Sequence, residues 1–220
     1  KNGVELPKLY LAVGEEDFIR DVLVETFHAS YVVVGTDFTF GYKKRGDIHM
    51  LKEYEKVYGY HLVVIEKERY HDREISSTYI REVLNAGDIP LANTLLGYPY
   101  RVIGCVEHGK RLGRTLNVAP NPNKLMPPNG VYAVQVKMDG KVYGGIANVG
   151  VKPTVTNENR MLVEAFLYNY SGNAYGKEVE IEFCEYHRPE QKFHGVDELK
   201  ACVDTDILYG KEYFKQKSRR

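Results

Sequence analysis

The chain of 220 residues balances 30 basic against 30 acidic side chains, so binding a nucleic-acid backbone would need a local patch rather than the field of the whole molecule. Its length allows one large domain or two small ones, each able to bury a core without staples. The three cysteines, Cys105, Cys184 and Cys202, are far apart and odd in number, which argues against a disulfide framework or a metal knuckle and fits reduced thiols of a cytosolic protein. No stretch approaches the ~20 apolar residues of a membrane span, and no secretory signal opens the chain. A cytoplasmic location without a membrane or nucleic-acid partner is therefore expected. Because Lys1 is not a methionine, the gene product is expected to begin earlier.

In chain order, Glu16 to Glu25 places Phe18, Ile19, Val22 and Leu23 at helical spacing, with acidic residues early. Tyr31-Val32-Val33-Val34, ending at Gly35, has the pattern of a strand covered on both faces. A second helix is predicted over Ile48 to Tyr58, and a second covered strand over His61 to Ile65. Helices alternating with such strands imply a parallel sheet. Ser76-Ser77-Thr78 opens a third helix that stops at Gly87, and a fourth, Leu91 to Leu96, ends at Gly97-Tyr98-Pro99. The domain boundary is placed there, giving domains 1–98 and 99–220. Beyond it the segments shorten and alternate: Arg101 to Glu107, Gly130 to Met138, Lys141 to Asn148, Leu162 to Tyr170 and Glu178 to Tyr186, with turns at Asp139-Gly140 and Ser171-Gly172-Asn173. These predict an antiparallel barrel or sandwich. Gly195 to Lys215 regains helical periodicity, predicting one or two helices that close the barrel.

Three places carry chemistry. The helix start at Ser76, Ser77 and Thr78 offers free N–H groups, hydroxyls and the positive end of the helix dipole to a phosphate, with Arg81 as a forked donor. An ordinary capped helix would read the same way. The loop after Glu107, with Gly109, Lys110, Gly113 and Arg114, allows close backbone approach to a nucleotide, or is simply a basic hairpin. Glu164, among Val163, Phe166 and Leu167 on an alternating strand, faces either solvent or a cleft. Arg188 is read either as a ligand contact or as a surface partner of Glu190.

Gly113-Arg114-Thr115-Leu116 running into Asn117-Val118, then Asn148-Val149-Gly150, Val163-Glu164-Ala165 and Arg188-Pro189-Glu190-Gln191-Lys192-Phe193, resembles the C-terminal half of the bifunctional riboflavin kinase/FMN adenylyltransferases (FAD synthetases) of prokaryotic type. Ile75-Ser76-Ser77-Thr78-Tyr79-Ile80-Arg81 is similar to that family's triphosphate-binding signature. Val33 to Gly41, containing Asp37 and Phe38, is similar to a stretch beside its flavin substrate. The likeness spans nearly the whole chain, and two of the family's elements have no counterpart in it. One is a Gly-Phe-Pro-Thr-Ala segment between Leu116 and Asn117, whose threonine contacts magnesium and phosphate. The other is a His-x-Gly-His element, matched by none of the seven histidines.

The resemblance implies a partial Rossmann-like nucleotidyltransferase domain followed by a small antiparallel β-barrel, riboflavin kinase-like, with a C-terminal helix: α/β plus β. It implies ATP-dependent phosphorylation of riboflavin to FMN, and FAD synthesis from FMN and ATP by the attached module. ATP and Mg2+ would be the cofactors and the flavin the substrate. Glu164 would be the base in a barrel mouth, Asn117 would help place the metal, and Gly109 to Gly113 would hold the phosphates. The second reading is a flavin- or nucleotide-binding protein without turnover.

Overall fold

A computed structural model describes residues 13–107, 115–153 and 159–219. The chain divides between Glu74 and Ile75 into two units, Lys1–Glu74 and Ile75–Arg220.

In the first unit, helix α1 opens as Glu15–Asp17 and continues in π geometry over Phe18–Thr26. Strand β1 (Tyr31–Gly35), helix α2 (Ile48–Tyr58) and strand β2 (His61–Ile65) follow, β1 and β2 pairing in parallel with Tyr31 opposite His61. Asp47 caps α2 by accepting from the amides of His49 and Met50, both at 3.0 Å, and Gly59 closes it at φ +75°, the left-handed turn that glycine adopts without a Cβ penalty. Ile19, Val32, Val34, Phe40, Leu51 and Tyr60 form the core. The expectation that both strands are covered on two faces is corrected: Tyr31 is 67% exposed, Val33 57% and Ile65 54%. The helices share one core with Val32 and Val34, so the alternate residues of β1 are left outside. A short hairpin, β3 (Arg69–Tyr70) with β4 (Arg73–Glu74), was not anticipated. Two residues per strand leave no period to read.

The second unit opens with α3 (Ser77–Asn85), capped by Ser76, and α4 (Ile89–Leu96), capped by Asp88 and closed by Gly97. Six strands then close an antiparallel barrel: β5 (Arg101–Glu107), β6 (Thr115–Val118), β7 (Gly130–Met138), β8 (Lys141–Pro153), β9 (Asn159–Leu167) and β10 (Glu178–Pro189), in the order β10-β5-β6-β9-β8-β7. The change of sequence character at Gly97-Tyr98-Pro99 falls inside this unit. Asn93 explains why: its amide donates to the carbonyl of Phe183 at 2.9 Å and its oxygen accepts from the amide of Tyr100 at 2.7 Å, fastening α4 to the barrel.

Alternation sorts the barrel wall into two faces. Tyr132, Ala147, Ala165 and Leu116 are register partners in a row, as are Gly130, Val149, Val163 and Val118, and these buried residues fill the interior. The intervening rows face outward. A single helix, α5 (Val196–Lys217), lies on that outer wall and does not plug an end. The hydroxyl of Tyr168 donates to the carbonyl of Ile207 at 3.0 Å. Gly210 lets the helix approach β8, since a Cβ there would meet the Ile146 Cγ2 at 2.6 Å.

Candidate active site

A cavity of about 570 Å³ lies between α5 and the outer wall. Its floor is two adjacent outward rows. Val131, Asn148, Glu164 and Asn117 form one, and Ile146, Phe166 and Thr115 lie beside them in the next. Glu164 thus stands between Asn117 on β6 and Asn148 on β8. Its alternation puts it outside the barrel, where solvent would be the default, and α5 turns that outside into a cleft.

Asn117 is 7% exposed, whereas Glu164 remains half-buried, its carboxylate 3.4 Å from the Lys152 Nζ. Asn148 is steadied by Glu190, which also lines the cavity and whose carboxylate accepts from Asn148 Nδ2 at 3.4 Å and from Asn129 Nδ2 at 3.1 Å. The roof is Leu199, Val203 and Asp206 of α5, with Arg188, Gln191 and Phe193 at the end of β10 and beyond. The lining therefore combines hydroxyl, amide, carboxylate and ammonium groups with aliphatic and aromatic ones. That mixture suits a ligand with a flat apolar ring and a hydroxylated tail.

Sequence reasoning located Glu164 and Asn117 but placed Glu164 in a barrel mouth. The structure places it on the outer wall. Thr115, two residues before Asn117, shares its face of β6 and lines the same cavity. A threonine two residues before Asn117 was the available signal, in a strand too short to show a period. Lys152 and Asp206, not singled out in the sequence, line the cavity as well.

Arg188 does not pair with Glu190. Its Nε and Nη2 grip the Asp206 carboxylate at 2.7 and 2.6 Å, and these bonds raise the guanidinium's pKa further above its ordinary value. Gly109, Lys110, Gly113 and Arg114 lie outside the described residues.

The remaining sequence candidates are not among the residues lining this cavity. Ser76 spends its hydroxyl on capping, accepting from the Tyr79 amide at 3.2 Å. Ser77, Thr78 and Arg81 are exposed on the first turns of α3. In the first unit, Asp37 accepts from Lys67 Nζ at 2.5 Å, and that bond, ahead of the ammonium's charge, holds its carboxyl below the ordinary range. Lys67 also reaches Glu74 at 3.3 Å. Phe38 stacks on Phe40, which packs on Phe18 with centroids 5.2 Å apart. Phe40 is thus core, and Phe38 is half-buried beside it.

Fold and site together define a riboflavin kinase-type barrel preceded by a nucleotidyltransferase-like α/β unit. The riboflavin kinase (flavokinase) family model matches residues 96–214, and the FAD synthetase family model matches residues 6–79. The bifunctional riboflavin kinase/FMN adenylyltransferase of Haemophilus influenzae is 40% identical over 206 residues, covering 90% of this chain and 65% of that protein. The protein of the same name from Buchnera aphidicola is 36% identical over 218 residues, covering 96% and 69%. A crystal structure of a macrolide-efflux protein from Streptococcus pneumoniae is similar with a TM-score of 0.77 at 27% identity, covering 90% of this chain and 65% of that one. The chain belongs to the bifunctional riboflavin kinase/FMN adenylyltransferase family, and it spans about two thirds of the length of these relatives.

Proposed function

We propose that this protein phosphorylates riboflavin to FMN with ATP, and that residues 1–98 are the corresponding part of a module that joins FMN and ATP into FAD, with residues 99–220 as the kinase. The observation that carries the reading is the row Asn117, Glu164, Asn148 under α5. In the kinase step the Glu164 carboxylate takes the proton of the ribityl terminal hydroxyl, the freed oxygen attacks the γ-phosphorus of ATP, and the bond to the β-phosphate oxygen breaks to release ADP. Lys152, beside Glu164, faces the anionic phosphoryl group as it moves.

Among the described residues no group of three or more His, Cys, Asp or Glu side chains could hold a metal ion. The donors present still suit magnesium. The Thr115 hydroxyl, the Asn117 carbonyl and the phosphates themselves are hard oxygens, the set that Mg2+ takes when a nucleotide supplies part of its shell. When bound there, the ion would neutralise charge on the transferring phosphoryl.

Ser76, Ser77, Thr78 and Arg81 would serve the triphosphate in the adenylyl module, and Asp37 and Phe38 its flavin. No described helix is long and apolar enough to cross a membrane, and we place the protein in the cytoplasm. The purified chain should convert riboflavin to FMN with ATP and magnesium, seen by chromatographic separation of the two flavins. No FMN from protein that binds riboflavin would favour the non-catalytic reading instead.

A further inference from the structure

The roof helix carries a buried charge that its packing does not require. Asp206 is 3% exposed, on a helix face that otherwise covers the cavity with Leu199 and Val203. A carboxylate withdrawn from water is unfavourable unless it is paired and fully hydrogen-bonded. Arg188 supplies that pairing through two parallel bonds, Nε to Oδ1 at 2.7 Å and Nη2 to Oδ2 at 2.6 Å. His187 comes from the same strand, its Nε2 3.4 Å from Oδ1, with its ring stacked on Tyr209 at a centroid distance of 3.7 Å.

Two consecutive strand residues normally point to opposite faces. Both reach α5 here because the pairing of β10 with β7 slips between Tyr186 and Arg188, a bulge of the kind that re-aims side chains beside functional sites. Apolar contact is non-directional, and the Tyr168 hydrogen bond to Ile207 fixes one point only, about which α5 could turn on the wall. A guanidinium–carboxylate fork has a plane and two fixed axes, and does not admit that motion. Both partners line the cavity, and Leu199 and Val203 precede Asp206 on the same helix. The fork therefore fixes where Leu199 and Val203 stand in the cavity that Ile146 and Phe166 also line.

We propose that Asp206 and Arg188 are positioning residues that hold α5 over the cavity and so set the affinity for the flavin ring, while the phosphoryl-transfer end on the floor is untouched. This inference rests on the riboflavin reading. Two variants test it in the 220-residue chain: Asp206→Asn, which keeps shape and removes charge, and Asp206→Leu with Arg188→Met, which replaces the pair by apolar groups, a change that buried ion pairs often tolerate without loss of stability.

Whichever variant retains wild-type circular dichroism and thermal midpoint should show riboflavin KM and fluorescence-quenching Kd raised about tenfold, with kcat and the KM for ATP changed by less than about threefold. A folded variant with unchanged riboflavin affinity would overturn the proposal, as would equal losses in kcat and in the KM for ATP. Unfolding of both variants would also overturn it, making the pair a requirement of the barrel rather than of the site. Wild-type protein that binds no riboflavin would bring down the functional reading and this inference together. Wild-type binding matched by the double variant would bring down this inference alone.

Discussion

Asn117 and Glu164 are register partners across β6 and β9, and Asn148 faces Glu164 from the other side on β8. An acid between two amides on adjacent strands is held at one height on the wall by the backbone ladder itself. The ladder thus supplies the alignment that the proposed proton transfer needs.

Replacing Glu164 by Gln keeps the shape and removes the proposed base. Loss of a positioned general base lowers rates by about 10²–10⁴-fold, so FMN formation measured in a single turnover should fall by that range while riboflavin binding, read by fluorescence, stays unchanged. A Glu164→Gln protein with near-normal turnover would assign the proton to another acceptor.

Thr115 and Asn117 share a face of β6 at the strand period. Thr115→Val and Asn117→Ala should each raise the magnesium concentration for half-maximal rate, by about tenfold if they are direct oxygen donors, with riboflavin Kd unmoved. An unchanged magnesium titration in both variants would remove this pair from the phosphate end.

Much of the framework was readable because its residues obey one period at a time. Ile48–Tyr58, His61–Ile65, Arg101–Glu107 and Gly130–Met138 fall where periodicity and turn residues put them. The four-residue strand β6 did not. Thr115-Leu116-Asn117-Val118 is too short to show a period, and its family likeness drew attention to a gap instead of to Thr115. The two-faced burial assigned to β1 failed because a run of valines reads alike whether one face or both are covered. The surroundings of Glu164 were not readable: alternation says which face of a strand it occupies, and only the docking of α5 decides that this outer face is a cleft. The Arg188–Asp206 fork joins positions 18 residues apart through a bulge, which no local pattern announces.

His187 gives the site a pH signature. Burial, with Arg188 assisting, lowers its pKa below the ordinary value, and Asp206 opposes the shift without reversing it. Between the lowered folded value and the unfolded value of about 6.5, the unfolded chain binds more protons. The stabilisation linked to His187 is thus complete above that unfolded value and declines as pH falls toward the folded one. His187→Phe, which keeps a ring on Tyr209, should flatten the fall in urea midpoint between about pH 7 and pH 5. Parallel curves for variant and wild type would show that His187 titrates alike in both states.

Gly130 and Gly140 both have positive φ, at 153° and 72°, but differ in what surrounds them. A Cβ at Gly130 would strike the Arg188 carbonyl and come within 2.8 Å of the Tyr186 ring, so β10 would have to move at the bulge that aims Arg188. A Cβ at Gly140 would meet nothing within 4 Å, so Gly140→Ala bears only the left-handed backbone penalty of about 1–2 kcal/mol. For a unit of this size each kcal/mol lowers Tm by about 2–4 °C. Gly130→Ala should cost about 2–4 kcal/mol and also weaken riboflavin binding, because strain and displacement fall on the strand that carries the fork. Gly140→Ala should lower Tm modestly and leave binding alone. The comparison separates lost stability from lost placement. If both variants, measured well below their melting temperatures, bind riboflavin as wild type does, the end of β10 has no part in shaping the cavity.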